Sequence, residues 1–504
     1  MQGHCFFRVD ALPHTGVGHL ARCLALATGL RRVGMQVNFI CRDGLGSLAG
    51  LVSESGFGLH LLPAVAQSID PADSRTWLGT SAEADAKATG ELIRRACGRA
   101  DWLVVDHYGI DAEWESALRP RCHRLLAIDD LADRRHDCDL LLDQNLHEDD
   151  PYRSLSPRCC RLLLGPRHAL LRDEFREARQ RATVRDGRLR RVLVFFGSSD
   201  PTGDTAKAVQ ALCSLAWPVE AEIIVGAMNP DRAQIEAACA RRRHLHFAFQ
   251  VDDMAERLAR ADLAIGGAGT SAWERMAVGL PAVVVEQADN QHLNSVQLQR
   301  IGVAFNLGPS RLVDAAAIAD AVRDLMEDPA RLKRMSQAAG SLVDGRGVER
   351  VRRAMKGLDI QVRLATAVDS ATLLAWRNNP AIRRFSHDPG LIDPVVHAAW
   401  LARTLDDPQR ELLVFERNDE ALGVVRFDID GEHARVSIYL APTQLGKGQG
   451  AAVLHAAEQW LLGRRADFDR FTAEVLDDNR ASHQLFLDCG YARSAARYEK
   501  RVVP

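Results

Sequence analysis

Short apolar runs rich in Val, Leu, Ile and Phe recur from Cys5 to about Leu164, with longer mixed stretches between them. VNFICR, WLVVDHY, RLLAIDD and DLLLDQN read as strands, and the intervening segments as helices. Runs this apolar have no polar face, so they predict strands covered on both sides, in a parallel sheet between two layers of helices. The polar stretch LRDEFREARQRATVRDGRLR reads as a helix, after which the pattern restarts with RVLVFFGSSD, EAEIIVG, HLHFAFQ, ADLAIGGAG and PAVVVEQ. Two Rossmann-like α/β lobes, residues 1–168 and 169–357, are expected to face each other across a cleft.

After the charged helix GVERVRRAMKGL the character changes. ELLVFER, ALGVVRFDIDG and ARVSIYLAP follow one another through the polar turns NDE and DGEH, the signature of hairpins. Helical segments around LLAWRNNPAIRRF and HAAWLART precede them, so residues 358–504 read as a separate α+β domain with a mainly antiparallel sheet.

Composition narrows the function. A chain of 504 residues exceeds what one core supports, and 47% hydrophobic with 26% charged residues is ordinary for a folded protein. The net charge of -3 supplies no basic excess for a nucleic-acid partner, and the Arg241–His244 cluster is isolated. Every apolar stretch falls short of the ~20 residues of a bilayer span, and no secretion signal opens the chain, so no membrane partner and a cytoplasmic location are expected. The eleven cysteines include no CxxC pair, only the vicinal Cys159 and Cys160. Neither a metal site nor a disulfide framework is expected.

Two segments carry candidate chemistry, because in open α/β sheets ligands lie where strands give way to helix N-termini. In FRVDALPHTGVGHLARCLALATGL, Gly16 and Gly18 clear space just before His19 at a helix start. A helix N-terminus favours a neutral imidazole, which makes His19 a general base or, equally on spacing alone, a cap of its own loop. Asp10 and Arg22 flank it as orienting groups or as a structural ion pair. In ADLAIGGAGTSAWERMAVGLPAVVVEQADNQ, Gly269, Thr270 and Ser271 open a helix with Glu274 one turn in. The turn is either a packing turn or a cradle for a diphosphate, with Glu274 taking ribose hydroxyls. Together with Pro281 it resembles the nucleotide-sugar site in the second lobe of GT-B glycosyltransferases.

Five blocks then run in one order over roughly residues 5–350: RVDALPHTGVGHLARCLALA, DWLVVDHYGIDAEWE, IDDLADRRHDCDLLLDQN, GPRHALLRDEF and GTSAWE…NQ. They resemble the UDP-2,4-diacetamido-2,4,6-trideoxy-β-L-altropyranose hydrolases of pseudaminic acid synthesis. The resemblance implies a GT-B fold and inverting hydrolysis of a UDP-linked diamino-trideoxy sugar at its anomeric carbon. It makes His19 the base that aims a water, and Arg172, Asn290 and Gln291 substrate contacts beside Gly16, Gly18 and Arg22. The Gly269–Ser271 turn, rather than a metal, would hold the leaving phosphate. One departure is FFGSSD, with Ser198 where relatives carry a second glycine, which puts phosphate contacts from Gly197 to Asp200 in doubt.

The last domain resembles the GNAT N-acetyltransferases through VSIYLAPTQLGKGQGAAVLHAAEQWLL and FTAEVLDDNRASHQLFLDCGYA. The resemblance implies acetyl-CoA as co-substrate, its pyrophosphate on the turn Gly446, Lys447, Gly448, Gly450 and Ala451, with Asn479 and Ser482 as further contacts. Leu445, next to Gln444, replaces the usual Arg or Gln, and Phe486 replaces the tyrosine that protonates the leaving thiolate. Tyr491, Tyr498, Glu474 and His397 are the remaining candidates for proton transfer. LLAWRNNPAIRRFSHDPGLIDPVVHAAWL looks like the segment of acetyltransferases that modify amino groups of nucleotide sugars or protein N-termini. The expectation is a bifunctional enzyme that acetylates and hydrolyses one UDP-sugar. A GT-B glycosyltransferase and a hydrolase with an inactive GNAT module are the alternatives.

Overall fold

The computed structural model describes residues 3–10, 18–43, 50–64, 70, 73–182, 185–358, 360–386, 388–417, 420–465, 468–494 and 497–502. The chain forms two compact units: Met1–Ser156 with Leu162–Arg352, and Pro157–Arg161 with Arg353–Pro504. Both expected lobes lie in the first unit. The second unit begins slightly earlier than the composition change suggests, and it includes a five-residue segment from within the first lobe.

The first lobe is a sheet of β1 (Gly3–Val9), β2 (Met35–Arg42), β3 (Gly58–Leu62), β4 (Ala100–Asp106), β5 (Cys122–Ile128), β6 (Leu140–Asp143) and β7 (Arg161–Leu164). Their order is β3-β2-β1-β4-β5-β6-β7, and the pairings from β3 through β6 are parallel. Trp102, Leu103 and Val104 in β4 are fully buried, as a strand with helices on both faces requires. The order reverses between β1 and β4, which opens a crevice beyond Val9 and Asp106.

The second lobe repeats the plan with β8 (Arg191–Phe195), β9 (Glu220–Val225), β10 (Leu245–Phe249), β11 (Leu263–Gly267), β12 (Ala282–Glu286) and β13 (Ala304–Pro309), in the order β10-β9-β8-β11-β12-β13. Alternation divides the strands between two cores: Val192, Val194, Ile223, Ile265 and Val283 point into one, Leu193, Ile224, Ala264 and Val284 into the other. The order reverses between β8 and β11, so the Gly267–Ser271 turn sits at this lobe's own switch point. The long polar helix expected over 171–190 is only Asp173–Arg181. Beyond it Arg185 is buried and donates to the carbonyls of Ala261 (2.8 Å) and Val278 (2.8 Å), a role that continued helix would forbid.

In the second unit β14 (Gln361–Leu364), β15 (Arg410–Arg417), β16 (Glu420–Asp430), β17 (His433–Leu440), β18 (Arg470–Glu474), β19 (Ala492–Ser494) and β20 (Arg497–Arg501) form one sheet, in the order β14-β15-β16-β17-β18-β20-β19. All its pairings are antiparallel except β17–β18, whose parallel register runs only from His433↔Arg470 to Val436↔Ala473. The two strands part beyond that point, so Ser437–Leu440 have a strand partner on the β16 side alone. Among the described residues no helix is long and apolar enough to cross a membrane.

Candidate active site

His19 stands in the first turn of α1 (Gly18–Arg31), just past the β1/β4 switch point. Its Nδ1 lies 2.5 Å from Asp106 Oδ1 at the end of β4. A carboxylate only accepts, so Nδ1 carries the proton and Nε2 of the neutral ring keeps its lone pair. Arg22, one turn on along the same helix face, donates Nε to Asp106 Oδ2 (2.7 Å) and Nη2 to Oδ1 (2.7 Å). Its Nη1 reaches Asp130 Oδ2 at 3.0 Å. Burial alone pushes the Asp106 carboxyl up, but Arg22 and then His19 outweigh it and hold the group well below the usual carboxylate range. Tyr108 packs edge-on against the His19 ring, centroids 4.7 Å apart.

Of the two roles left open for Asp10, orienting group or structural ion pair, the structure shows the ion pair. It shares a strand face with Arg8 two residues earlier and accepts from its Nη1 (2.6 Å) and Nη2 (2.8 Å), inside a separate buried network with Asp85. Asp106, overlooked at the sequence level although it lies in the DWLVVDHY run, takes that place.

The second lobe supplies the facing wall. A Cβ on Gly18 would lie 2.7 Å from Thr270 Oγ1, so the helix start and the Gly-rich turn approach as closely as only glycine permits. Gln291 Oε1 accepts from Ala268 N (3.1 Å) and braces the turn, while Asn290 Nδ2 donates to Tyr108 OH (3.4 Å) across the lobes. Thr270 precedes α2 (Ser271–Ala277) without a side-chain cap. Beneath the turn the buried Arg275 donates to Gly267 O (2.5 Å) and Ser271 Oγ (3.3 Å). Burial raises the Glu274 carboxyl to about 7, against the pull of Arg172 and Arg275. Arg172 itself pairs with Glu174 at 2.8 Å. Gly18, Arg22, Arg172, Thr270 and Glu274 line one pocket, which brings together residues from both ends of the first unit; Gly16 lies outside the described residues.

The FFGSSD turn is a different case. Asp200 accepts from Asp204 N (3.0 Å) and Thr205 N (2.8 Å), so its carboxylate occupies the start of the helix Asp204–Ser214 where an incoming phosphate would sit.

In the second unit Gly446 and Gly448 have φ of +75° and +69°, and a Cβ on either would meet nothing within 4 Å. They form an open turn into the helix Gly450–Arg464, whose N-cap Gln449 makes no side-chain cap bond. Lys447 is exposed, Ala451 half-buried, and Gly450 packs on Leu485. The turn and the parted strands β17 and β18 together fit an extended thioester co-substrate with a pyrophosphate at one end. Asn479 caps its own helix by accepting from Ser482 N at 3.1 Å, which ties these two residues to each other. Among the proton-transfer candidates, Tyr491 is buried and donates to Glu458 (2.8 Å), Tyr498 is buried 2.6 Å from His483 Nδ1, and His397 is buried against Trp400. Glu474 is exposed, one residue past the last β17–β18 pair, and ion-paired with Arg497 at 3.4 Å.

Comparison with known proteins agrees with this division. Residues 195–355 match the glycosyltransferase family 28 C-terminal domain, and residues 373–491 the GNAT acetyltransferase family. The chain is 27% identical over 201 residues to the spore coat polysaccharide biosynthesis protein SpsG of Bacillus subtilis, covering 39% of this chain and 59% of that one. It is 28% identical over 172 residues to the UDP-2,4-diacetamido-2,4,6-trideoxy-β-L-altropyranose hydrolase of Campylobacter jejuni, covering 34% and 52%. The chain thus spans under two thirds of these relatives. The crystal structure of Acinetobacter baumannii MurG shares the fold with a TM-score of 0.51 at 17% identity, covering 70% of this chain and 99% of that one. The chain therefore combines GT-B α/β lobes carrying a glycosyltransferase-28-like nucleotide-sugar domain with a C-terminal GNAT acetyltransferase domain.

Proposed function

We propose that the first unit hydrolyses a UDP-linked 2,4-diacetamido-2,4,6-trideoxy sugar with inversion, and that the second unit acetylates the 4-amino group of its precursor from acetyl-CoA. The His19–Asp106 contact carries the reading: with Nδ1–H held by a buried carboxylate, Nε2 is free to take a proton from water. As the water oxygen bonds to the anomeric carbon, the bond to the phosphate oxygen breaks and its electron pair leaves with UDP. Asp106 then stabilises the imidazolium. Amides of the Gly269–Ser271 turn, with Arg275 beneath, receive the leaving charge, and Glu274 takes ribose hydroxyls. The name of the Campylobacter relative supports this substrate. In the second unit the sugar amine attacks the thioester carbonyl, the carbon–sulfur bond breaks and CoA leaves as a thiolate that takes a proton from solvent, while Glu474 takes the proton of the amine. Both activities place the work among small cytoplasmic metabolites.

Incubating the full chain with the UDP-diacetamido sugar alone, beside His19→Ala, tests the hydrolase. Wild type should release UDP and free sugar, and the variant should not; a variant with wild-type turnover sinks the assignment. A second reading, transfer of the sugar to a hydroxyl acceptor, is favoured by the glycosyltransferase family 28 match. Under it, UDP release depends on an added acceptor. A melting temperature raised by acetyl-CoA checks the GNAT unit, because a ligand that binds the native state stabilises it.

A further inference from the structure

Gln144 follows β6 directly, at the carboxyl end of the sheet, and lines the same pocket as Gly18, Thr270 and Glu274. It is only 3% exposed. Its side chain makes one hydrogen bond among the described residues, accepting from Leu170 N at 2.6 Å. That bond settles the orientation of the amide. A backbone N–H only donates, so Oε1 must face Leu170 and the NH2 group must face away, with both of its donors unmet. The NH2 group opens onto the pocket, where its two donors are available to an acceptor on a ligand. The pocket walls around it include the apolar Leu170, Leu171 and Trp273, each nearly fully buried, and the cations Arg22 and Arg172.

We infer that Gln144 is a specificity-determining residue that reads an N-acyl group on the sugar. An acylamino substituent brings a carbonyl for the NH2 donors and a methyl for the Leu–Trp wall. A free amine at the same carbon is an ammonium near neutral pH. It offers only donors to a donor and brings no methyl for the Leu–Trp wall, so it would bind more weakly. The inference rests on the nucleotide-sugar reading of the cleft.

The test is calorimetric binding to the full chain carrying His19→Ala, which prevents turnover, with UDP, UDP-N-acetylglucosamine and UDP-glucosamine as probes. With Gln144 intact the N-acetyl sugar should bind about tenfold or more tighter than the amino sugar. Gln144→Glu keeps an acceptor for Leu170 N but replaces the donors with a carboxylate, and should reverse the preference while leaving UDP affinity within about threefold. Gln144→Leu should remove the preference; if it fails to fold, the Glu variant alone decides. A preference unchanged in Gln144→Glu, or a loss of UDP affinity equal to the loss for both sugars, overturns the inference. Failure of all three probes to bind removes the nucleotide-sugar reading and the inference with it. The expected binding pattern without UDP release by wild-type His19 enzyme would leave the inference standing and defeat only the hydrolase proposal.

Discussion

Replacing Asp106 with asparagine isolates the group that orients His19. The side chains are isosteric, yet Asp106 meets donors at both oxygens: His19 Nδ1 and Arg22 Nη2 at Oδ1, Arg22 Nε at Oδ2. Whichever way the asparagine turns, its NH2 faces an Arg22 N–H. If the NH2 takes the Oδ1 position it also donates to His19 Nδ1 and drives the ring proton to Nε2, where a base needs its lone pair. Losing the function of a positioned base costs about 10²- to 10⁴-fold in kcat. Removing one partner of a buried ion pair costs about 3–5 kcal/mol, and because Arg22 keeps Asp130 at 3.0 Å the lower end is expected. The assay is steady-state UDP release with kcat and KM separated, alongside a melting curve. KM should move less than about threefold, since Asp106 does not contact the nucleotide turn. The folded pKa of Asp106 is depressed, so its contribution to stability is present above the ordinary carboxylate range and fades as pH falls. The Asn variant should therefore lose less stability than wild type on acidification. A folded variant with kcat within about threefold of wild type would refute the reasoning.

Three further outcomes are expected. Burial works against charging His136, but Asp129 and Glu115, the latter 2.9 Å from Nδ1, raise its pKa to about 9. Its stabilisation is complete below about 6.5 and lost as pH rises through about 9, so the unfolding free energy of the first unit should fall over that window by up to about 3 kcal/mol and stay flatter in His136→Gln. Gly448→Ala places a side chain at φ +69° in open space, a strain of about 1 kcal/mol. It should raise KM for acetyl-CoA several-fold while lowering the melting temperature by only about 2–4 °C. Tyr491→Phe leaves Glu458 with Lys500 at 2.7 Å and should cost about 1–2 kcal/mol of stability, while acetyl transfer by the folded protein is unchanged; a collapse of kcat would instead make Tyr491 a proton donor.

How far the sequence speaks depends on the range of the interactions involved. Buried parallel strands such as β4 announce themselves because both faces are apolar. β3 escapes, being a partly exposed edge strand interrupted by His60, and so does β13, which carries Asn306 bonded to Glu286 and ends on Pro309. The glycines and helix start around His19 are local signals and were legible. Its partner was not: Asp106 is 87 positions away, and nothing local to His19 points to it. Gln144 sits in a quoted block, yet its role depends on an amide 26 positions away. Asn479 and Ser482 were recognised as a pair, and their spacing suits the helix cap they form.

The segment Pro157–Arg161 gives the molecule an unusual anatomy. The backbone enters the second unit at Pro157, leaves at Arg161 and returns at Arg353. Inside that unit Arg158 Nη2 donates to the carbonyl of Phe468 at 2.7 Å, just ahead of β18. That unit is thus built from two stretches of the chain, the shorter of which lies within the sequence of the first unit. A fragment beginning at Arg353 would lack that piece, and adding residues 157–161 back as a free peptide should raise its melting temperature. No single cut in the chain separates the two units along their boundaries.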